Sequence, residues 1–234
     1  YSPNFKQGES TEVYAIKRME DMLKLQNYFL RNKMYRDWYY VIVAVNTGLR
    51  AGDLVKLRWS EVLNNDGSFK TPQQVNIVEQ KTKKFRHLFF NNDFRKATLD
   101  YIRLSGITPN LDAGEEPDRY LFGKTKWRKG GRDHGKCIKL KPHIERDTIG
   151  KQLKHAAIAV GIPYNVNTHS LRKTFGYRLY KNGAPIEAIQ RIFNHSSPAV
   201  TLRYIGLTLD EEEKYIADLD SVLALMDRGE KEDE

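Results

Sequence analysis

A chain of 234 residues suffices for one large domain or two small ones, and 40% hydrophobic with 29% charged residues fits a folded globular protein rather than a disordered one. The longest apolar run, Tyr39 to Val45, is far short of the ~20 residues that cross a bilayer, and a single cysteine, Cys137, excludes an internal disulfide and argues against a cysteine-based zinc site. The formal net charge is +9, but Asp210 to Glu234 holds 11 acids and 3 bases, so the remainder carries +17, a balance that fits a polyanion such as nucleic acid.

Residues 1–12 are polar and patternless, a linker or tail. The start at Tyr1 rather than Met reads as a piece of a longer protein, and a reducing cytoplasm is the expected compartment. From about Val13 to Asn46 the apolar residues recur near a 3.6 period, which predicts helix. Within it, Arg36 to Val45 is apolar on most faces and predicts a buried helix that Gly48 ends in a left-handed turn. Asp53 to Trp59 predicts a further short helix.

Gln74–Val78 and Phe85–Phe90 are rich in β-branched and aromatic residues and flank a polar turn, so they predict a β-hairpin. Asn92 to Ser105 again has a helical pattern. A glycine- and proline-broken loop then runs to about Glu145. Its segment Lys124–Lys141 carries eight lysines and arginines against one acid, Asp133, and reads as a DNA-contacting loop. Helices follow at Asp147–Val160, Ser170–Asn182, Pro185–Phe193 and Pro198–Ile205, the last opened by a Ser197 cap and proline at the first helical position. Thr208-Leu209-Asp210-Glu211 opens a final amphipathic helix to Met226, and 227–234 is an acidic tail. The sum is a single α+β domain, mostly helical, with a small antiparallel sheet.

Arg50, Lys81, His169, Arg172, His195 and Tyr204 follow one another along this frame. Together they fit chemistry on a phosphodiester. Non-bridging phosphate oxygens gain charge in a five-coordinate transition state, and the planar fork of Arg50 or Arg172 matches them with paired donors. Arg50 has a plainer reading as an ion pair with Asp53. His169 and Arg172, three apart, share one face if their helix begins early enough. His195 lies between two predicted helices and could donate to a phosphate oxygen or simply sit at a helix terminus. Tyr204 would attack phosphorus only with help from positive charge or a base, because a free phenol has a pKa of about 10. The sugar alkoxide it displaces needs a proton, for which Lys81, Lys83 and Lys84 compete. The pattern of acids predicts no metal site, and the lack of a GxxxxGK[ST] loop predicts no nucleotide, so no cofactor is expected.

In this order the motifs resemble the tyrosine recombinase, or phage integrase, family over about Val13 to Met226. Thr47-Gly48-Leu49-Arg50-Ala51-Gly52-Asp53-Leu54 is similar to its first arginine box, and Gln80-Lys81-Thr82-Lys83 to its β-turn lysine. Thr168-His169-Ser170-Leu171-Arg172 is similar to the H-x-x-R box, His195 to the second histidine, and Leu202-Arg203-Tyr204 to the nucleophile box. The wording is most like integrases of phages and conjugative transposons. Two departures stand out: Lys83 replaces a frequent glycine, and the family's amino-terminal core-binding domain is absent.

The resemblance implies site-specific cutting and rejoining of double-stranded DNA through a 3′-phosphotyrosine on Tyr204, for integration or excision of a mobile element in a bacterial host. It implies that Arg50 and Arg172 bind the scissile phosphate with His195 as a further donor. Lys81 becomes the general acid, His169 assists proton transfer, and Asp53 orients the first arginine box. Lys83, Lys84, Arg86, Lys124, Lys126, Arg128, Lys129, Arg132 and Lys173 are the candidate DNA contacts. Four protomers would assemble on two duplexes, with helix 208–226 docked on a neighbour. A type IB topoisomerase-like nicking and resealing enzyme shares the same chemistry. A DNA-binding protein without catalysis is the third reading, and the intact residue set argues against it.

Overall fold

Thirteen residues, Tyr35–Thr47, form the central helix α2, and its neighbours bury nearly all of it. Tyr39, Tyr40, Val41 and Val43 are almost wholly shielded from solvent. Tyr39 stacks on Tyr101 at 4.7 Å between ring centroids and lies near Trp59 and Phe122. Its hydroxyl is satisfied by Thr98 Oγ1 at 2.8 Å. Each such ring removes about 150–250 Å² from water, so this aromatic stack dominates the main core. The computed structural model describes residues 13–207, except 82, 113, 115, 125–130, 134, 135, 139 and 140, with backbone alone for 76, 131–133 and 136–138.

The described helices are α1 (Met19–Arg31), α2, α3 (Ala51–Leu54), α4 (Asn92–Ser105), α5 (Arg146–Ala159), α6 (Thr168–Lys181), α7 (Ile186–Phe193) and α8 (Pro198–Ile205). Two antiparallel hairpins complete them, β1 (Asn76–Val78) with β2 (Phe85–His87), and β3 (Gly131–Asp133) with β4 (Lys136–Ile138). Helices α4 and α6 pack on α2. The mostly helical α+β architecture expected from the sequence is the one observed. The predicted linker 1–12 and the final helix from Thr208 lie outside the described residues.

Several boundaries differ from the sequence pattern, each for a physical reason. Residues 13–18 are a strap rather than the start of a helix. Ala15 and Ile16 are buried, the Ile16 amide donates to Thr174 Oγ1 at 2.7 Å, and Lys17 Nζ donates to the Gly206 carbonyl at 2.7 Å. The helical pattern is cut again at 32–34, where Lys33 takes φ 56°. The predicted helix Asp53–Trp59 stops at Leu54. The chain then leaves to bond Leu121 N to Leu57 O at 2.9 Å and to pair Arg58 with Tyr120, before a 3-10 turn at Trp59–Glu61. The expected hairpin forms with shorter strands, and the basic segment read as loop contains the β3–β4 hairpin.

Glycine decides one junction. Gly48 ends α2 at φ 58°, a left-handed value that other residues adopt at a cost. A Cβ there would lie 2.1 Å from the Phe175 ring. This close approach brings the end of α2 against α6. A smaller apolar cluster of Ile189, Phe193 and Ile205 joins α7 and α8, with Phe175, Tyr177 and Tyr204 packed on it.

Candidate active site

Arg172 projects from α6, whose start is fixed by Asn167: its side chain accepts from His169 N at 2.8 Å, and Ser170 Oγ accepts from Asn167 N at 3.1 Å. The guanidinium is buried, 4% exposed. It donates through Nη1 to the Gly48 carbonyl and through Nη2 to the Phe193 carbonyl at 3.2 Å, and it lies 4.5 Å over the Phe193 ring. One side chain thus joins the loop just before Arg50 to the residue two before His195. Each Nη retains a second hydrogen for another acceptor.

Tyr204 meets this group from α8. Its ring stands edge-on to His195 at 5.0 Å and to Phe193 at 5.4 Å, and Lys173 Nζ lies 5.5 Å from its centroid. Burial pushes the phenol pKa up, while the charge and hydrogen bond of Arg172, and then Arg50, pull it down; the net is upward. The positive surroundings expected for an attacking phenol are present, but desolvation outweighs them, so the hydroxyl stays protonated at neutral pH.

His195 follows Asn194, the left-handed end of α7 at φ 56°. Its Nδ1 lies 3.1 Å from Thr201 Oγ1, which itself donates to the Ser197 carbonyl at 3.3 Å. Thr201 spends its proton on Ser197, so it accepts from His195; the neutral ring then carries hydrogen on Nδ1 and leaves Nε2 open. Burial first, then Arg172 and Arg50, lower the His195 pKa. Burial, Arg172, Arg146, Lys173 and Lys81 lower that of His169 in the first turn of α6. The helix terminus, with its own partial positive charge, acts in the same direction.

Arg50 caps the start of α3 and is partly exposed, 23% for its side chain, while Nη1 donates to Glu79 Oε2. The plainer reading of an Arg50–Asp53 ion pair does not hold. Asp53 Oδ1 instead accepts the Gln80 amide at 3.0 Å, next to Lys81, so Asp53 ties the segment that begins at Arg50 to the hairpin turn. Lys81 is exposed on that turn, and its charge is felt at His169.

The expected DNA contacts divide. Lys83 and Lys84 are exposed beside Lys81, with Lys83 at φ 57°. Arg86 is buried, so it is corrected from a DNA contact to an internal support. It donates to the Thr47 carbonyl and, at 3.1 Å, to the Gly48 carbonyl, and its Nη1 lies 3.6 Å from Glu79 Oε1. Lys173 is half-buried and donates to the Val13 carbonyl at 2.7 Å. Lys124 lies 3.5 Å from Glu145. Lys126, Arg128 and Lys129 lie outside the described residues, and Arg132 is described by its backbone alone.

Arg50, Arg172, His195 and Tyr204 therefore come together from four separate segments, with Lys81 and His169 both exposed. Sequence reasoning missed Glu79, Asn194 and Thr201. The only sequence signal for Glu79 is a lone acid two before Lys81; Thr201 stands three before Tyr204, one helical turn away. Among the described residues no three His, Cys, Asp or Glu side chains gather as metal ligands, and no helix is long and apolar enough to cross a membrane.

Residues 15–210 match the model of the phage integrase family. The chain is similar to the probable integrase/recombinase YoeC of Bacillus subtilis (strain 168), 32% identical over 198 residues that cover 85% of this chain and 92% of the relative. It spans about half the length of several other curated relatives that it matches. Among solved structures it is similar to XerA recombinase, with a TM-score of 0.61 at 21% identity over 90% of this chain and 65% of that one. It is also similar to the Tn1549 transposon integrase in complex with a circular intermediate DNA, with a TM-score of 0.57 at 20% identity over 91% and 68%.

Proposed function

Since the chain belongs to the phage integrase family, we propose that it cuts and rejoins double-stranded DNA at specific sites, integrating or excising a mobile element. The observation that carries this reading is the Tyr204 ring, 5.0 Å from that of His195 and 5.4 Å from that of Phe193, over which the Arg172 guanidinium lies at 4.5 Å. A basic body and the printed names of the relatives, an integrase/recombinase and a transposon integrase on DNA, support the substrate class.

In this reading the scissile phosphate sits between Arg50 and Arg172, whose remaining donors meet its non-bridging oxygens. The Tyr204 oxygen bonds to phosphorus, and the phosphorus–O5′ bond breaks. The phenol proton leaves with the assistance of the His169 imidazole, and the leaving O5′ takes a proton from Lys81. His195, once protonated beside the phosphate's negative charge, adds a further donor. The product is a 3′-phosphotyrosine and a free 5′-hydroxyl, and attack by a 5′-hydroxyl from another strand reverses the step.

Assembly is part of the proposal. Four protomers work on two duplexes in a bacterial cytoplasm, and the apolar stripe of 208–226 docks on a neighbouring protomer. Removing residues from Asp210 onward would then weaken assembly on a paired-site duplex in native gels more than it lowers thermal stability.

The test is a pool of nicked suicide duplexes with a randomised core, from which covalently captured DNA is selected. The expected result is an adduct that maps to Tyr204 and vanishes in Tyr204→Phe. An adduct on another tyrosine, or one that survives in Tyr204→Phe, would overturn the reading. Relaxation of supercoiled plasmid without exchange between two captured sites would favour the topoisomerase-like alternative.

A further inference from the structure

Strand alternation places an acid in the middle of the site. Along the first hairpin strand Ile77 points inward and Val78 outward, so Glu79 turns inward again and is fully buried. A buried carboxylate is costly unless cations and donors surround it. Here Oε2 accepts from Arg50 Nη1 and from Asn194 Nδ2 at 3.2 Å, while Oε1 faces Arg86 Nη1 at 3.6 Å. The backbone of Glu79 also closes the hairpin: its amide donates to the Lys84 carbonyl at 3.0 Å, and its carbonyl accepts from Lys83 at 2.8 Å.

We propose that Glu79 is a positioning residue, which sets Arg50 from behind and locks the Lys81 turn and the Asn194–His195 segment into one register with it. The proposal rests on the recombinase reading above. Glu79 touches no reacting atom. Its carboxylate holds the inner face of the Arg50 guanidinium and leaves the outer, solvent-facing donors for phosphate. Its backbone fixes the base of the turn two residues before Lys81. The Asn194 amide ties the same carboxylate to the residue before His195. It also counters three guanidiniums: beside its contact with Arg50, its charge favours the protonated forms of Arg86 and Arg172 against the repulsion they feel from Arg50.

The test uses a captured duplex and a copy with a methylphosphonate at the scissile position, where one charged oxygen is replaced by methyl and the need for Arg50 falls. Glu79→Gln keeps the shape but turns an amide toward one of the two donors. It is expected to slow single-turnover adduct formation at least thirtyfold on the normal duplex, with DNA affinity within about threefold. On the methylphosphonate duplex the slowing should shrink to about threefold, as for Arg50→Ala. Equal slowing on both substrates, or a normal duplex cleaved within threefold of wild type, would overturn the proposal. If Glu79→Gln does not fold, Glu79→Met with Arg86→Met removes the buried pair together, and wild-type cleavage by that folded variant overturns the proposal equally. Failure of wild type to form any adduct defeats the recombinase reading and this role with it; wild-type cleavage with indifferent variants defeats only the role.

Discussion

Gly48 and Phe175 share a space that has room for only one of a methyl group and a ring: a Cβ on Gly48 would stand 2.1 Å from Cδ1 of Phe175. The Gly48 carbonyl, in turn, accepts from both Arg172 and Arg86. Gly48→Ala must therefore take a strained φ and push α6 away. The two effects cost about 1–2 and 1–3 kcal/mol. Thermal melting is expected to fall by roughly 5–15 °C, and adduct formation by far more than DNA binding. Adding Phe175→Leu should restore part of the melting temperature. No restoration would mean that the ring is not the obstacle.

Arg86 provides a contrast with the turn lysines. Truncating a buried cation that faces a buried carboxylate costs about 3–5 kcal/mol, so Arg86→Met is expected to lower stability sharply. Lys83→Ala and Lys84→Ala should barely move stability, yet each should reduce the slope of log affinity against log salt by about 0.9 if it meets one phosphate. Urea melts and binding titrations at several salt concentrations separate the two. An unchanged melt for Arg86→Met would place that side chain on the DNA after all.

Two histidines, the buried His143 and the half-buried His195, have folded pKa values lowered chiefly by burial. The unfolded chain, with imidazoles near 6.5, binds more protons at mildly acidic pH, so stability rises with pH there. Each contribution is complete above the unfolded value and is lost as pH falls through the folded one. Melting temperature should drop from about pH 7 to pH 5. His195→Gln is expected to flatten part of that drop. A melt independent of pH over this window would contradict the burial described.

Lys81 is assigned the leaving-group proton. A 5′-bridging sulfur departs with little need of one, so Lys81→Ala should cleave that substrate at least tenfold better, relative to wild type, than the normal duplex. Equal defects on both would move the role to Lys83 or Lys84, which stand exposed on the same turn.

Periodicity and capping residues made most helices legible. Asn92–Ser105 and Pro198–Ile205 have the expected bounds, because each combines a polar cap with an amphipathic run. The strap at 13–18 was not legible, because its burial comes from a partner 158 residues away, Thr174, and not from its own spacing. Arg50, Arg172, His195 and Tyr204 were legible as types in order, and their meeting depends on contacts no local pattern encodes. Arg86 shows the limit most directly: in sequence it is one more base in a basic hairpin, and only the fold turns it inward. Glu79 went unnoticed for the converse reason, as a single acid among lysines.

The acceptors that Arg172 uses at both ends, Gly48 and Phe193, are main-chain carbonyls. No side-chain replacement deletes a carbonyl, whereas a change in chain length carries it away. The spacing of this site is thus written in residue count, in the single residue between Gly48 and Arg50 and the single residue between Phe193 and His195. Point substitutions keep that residue count, whereas one inserted residue in either interval shifts a whole catalytic segment by about 3.8 Å along the chain.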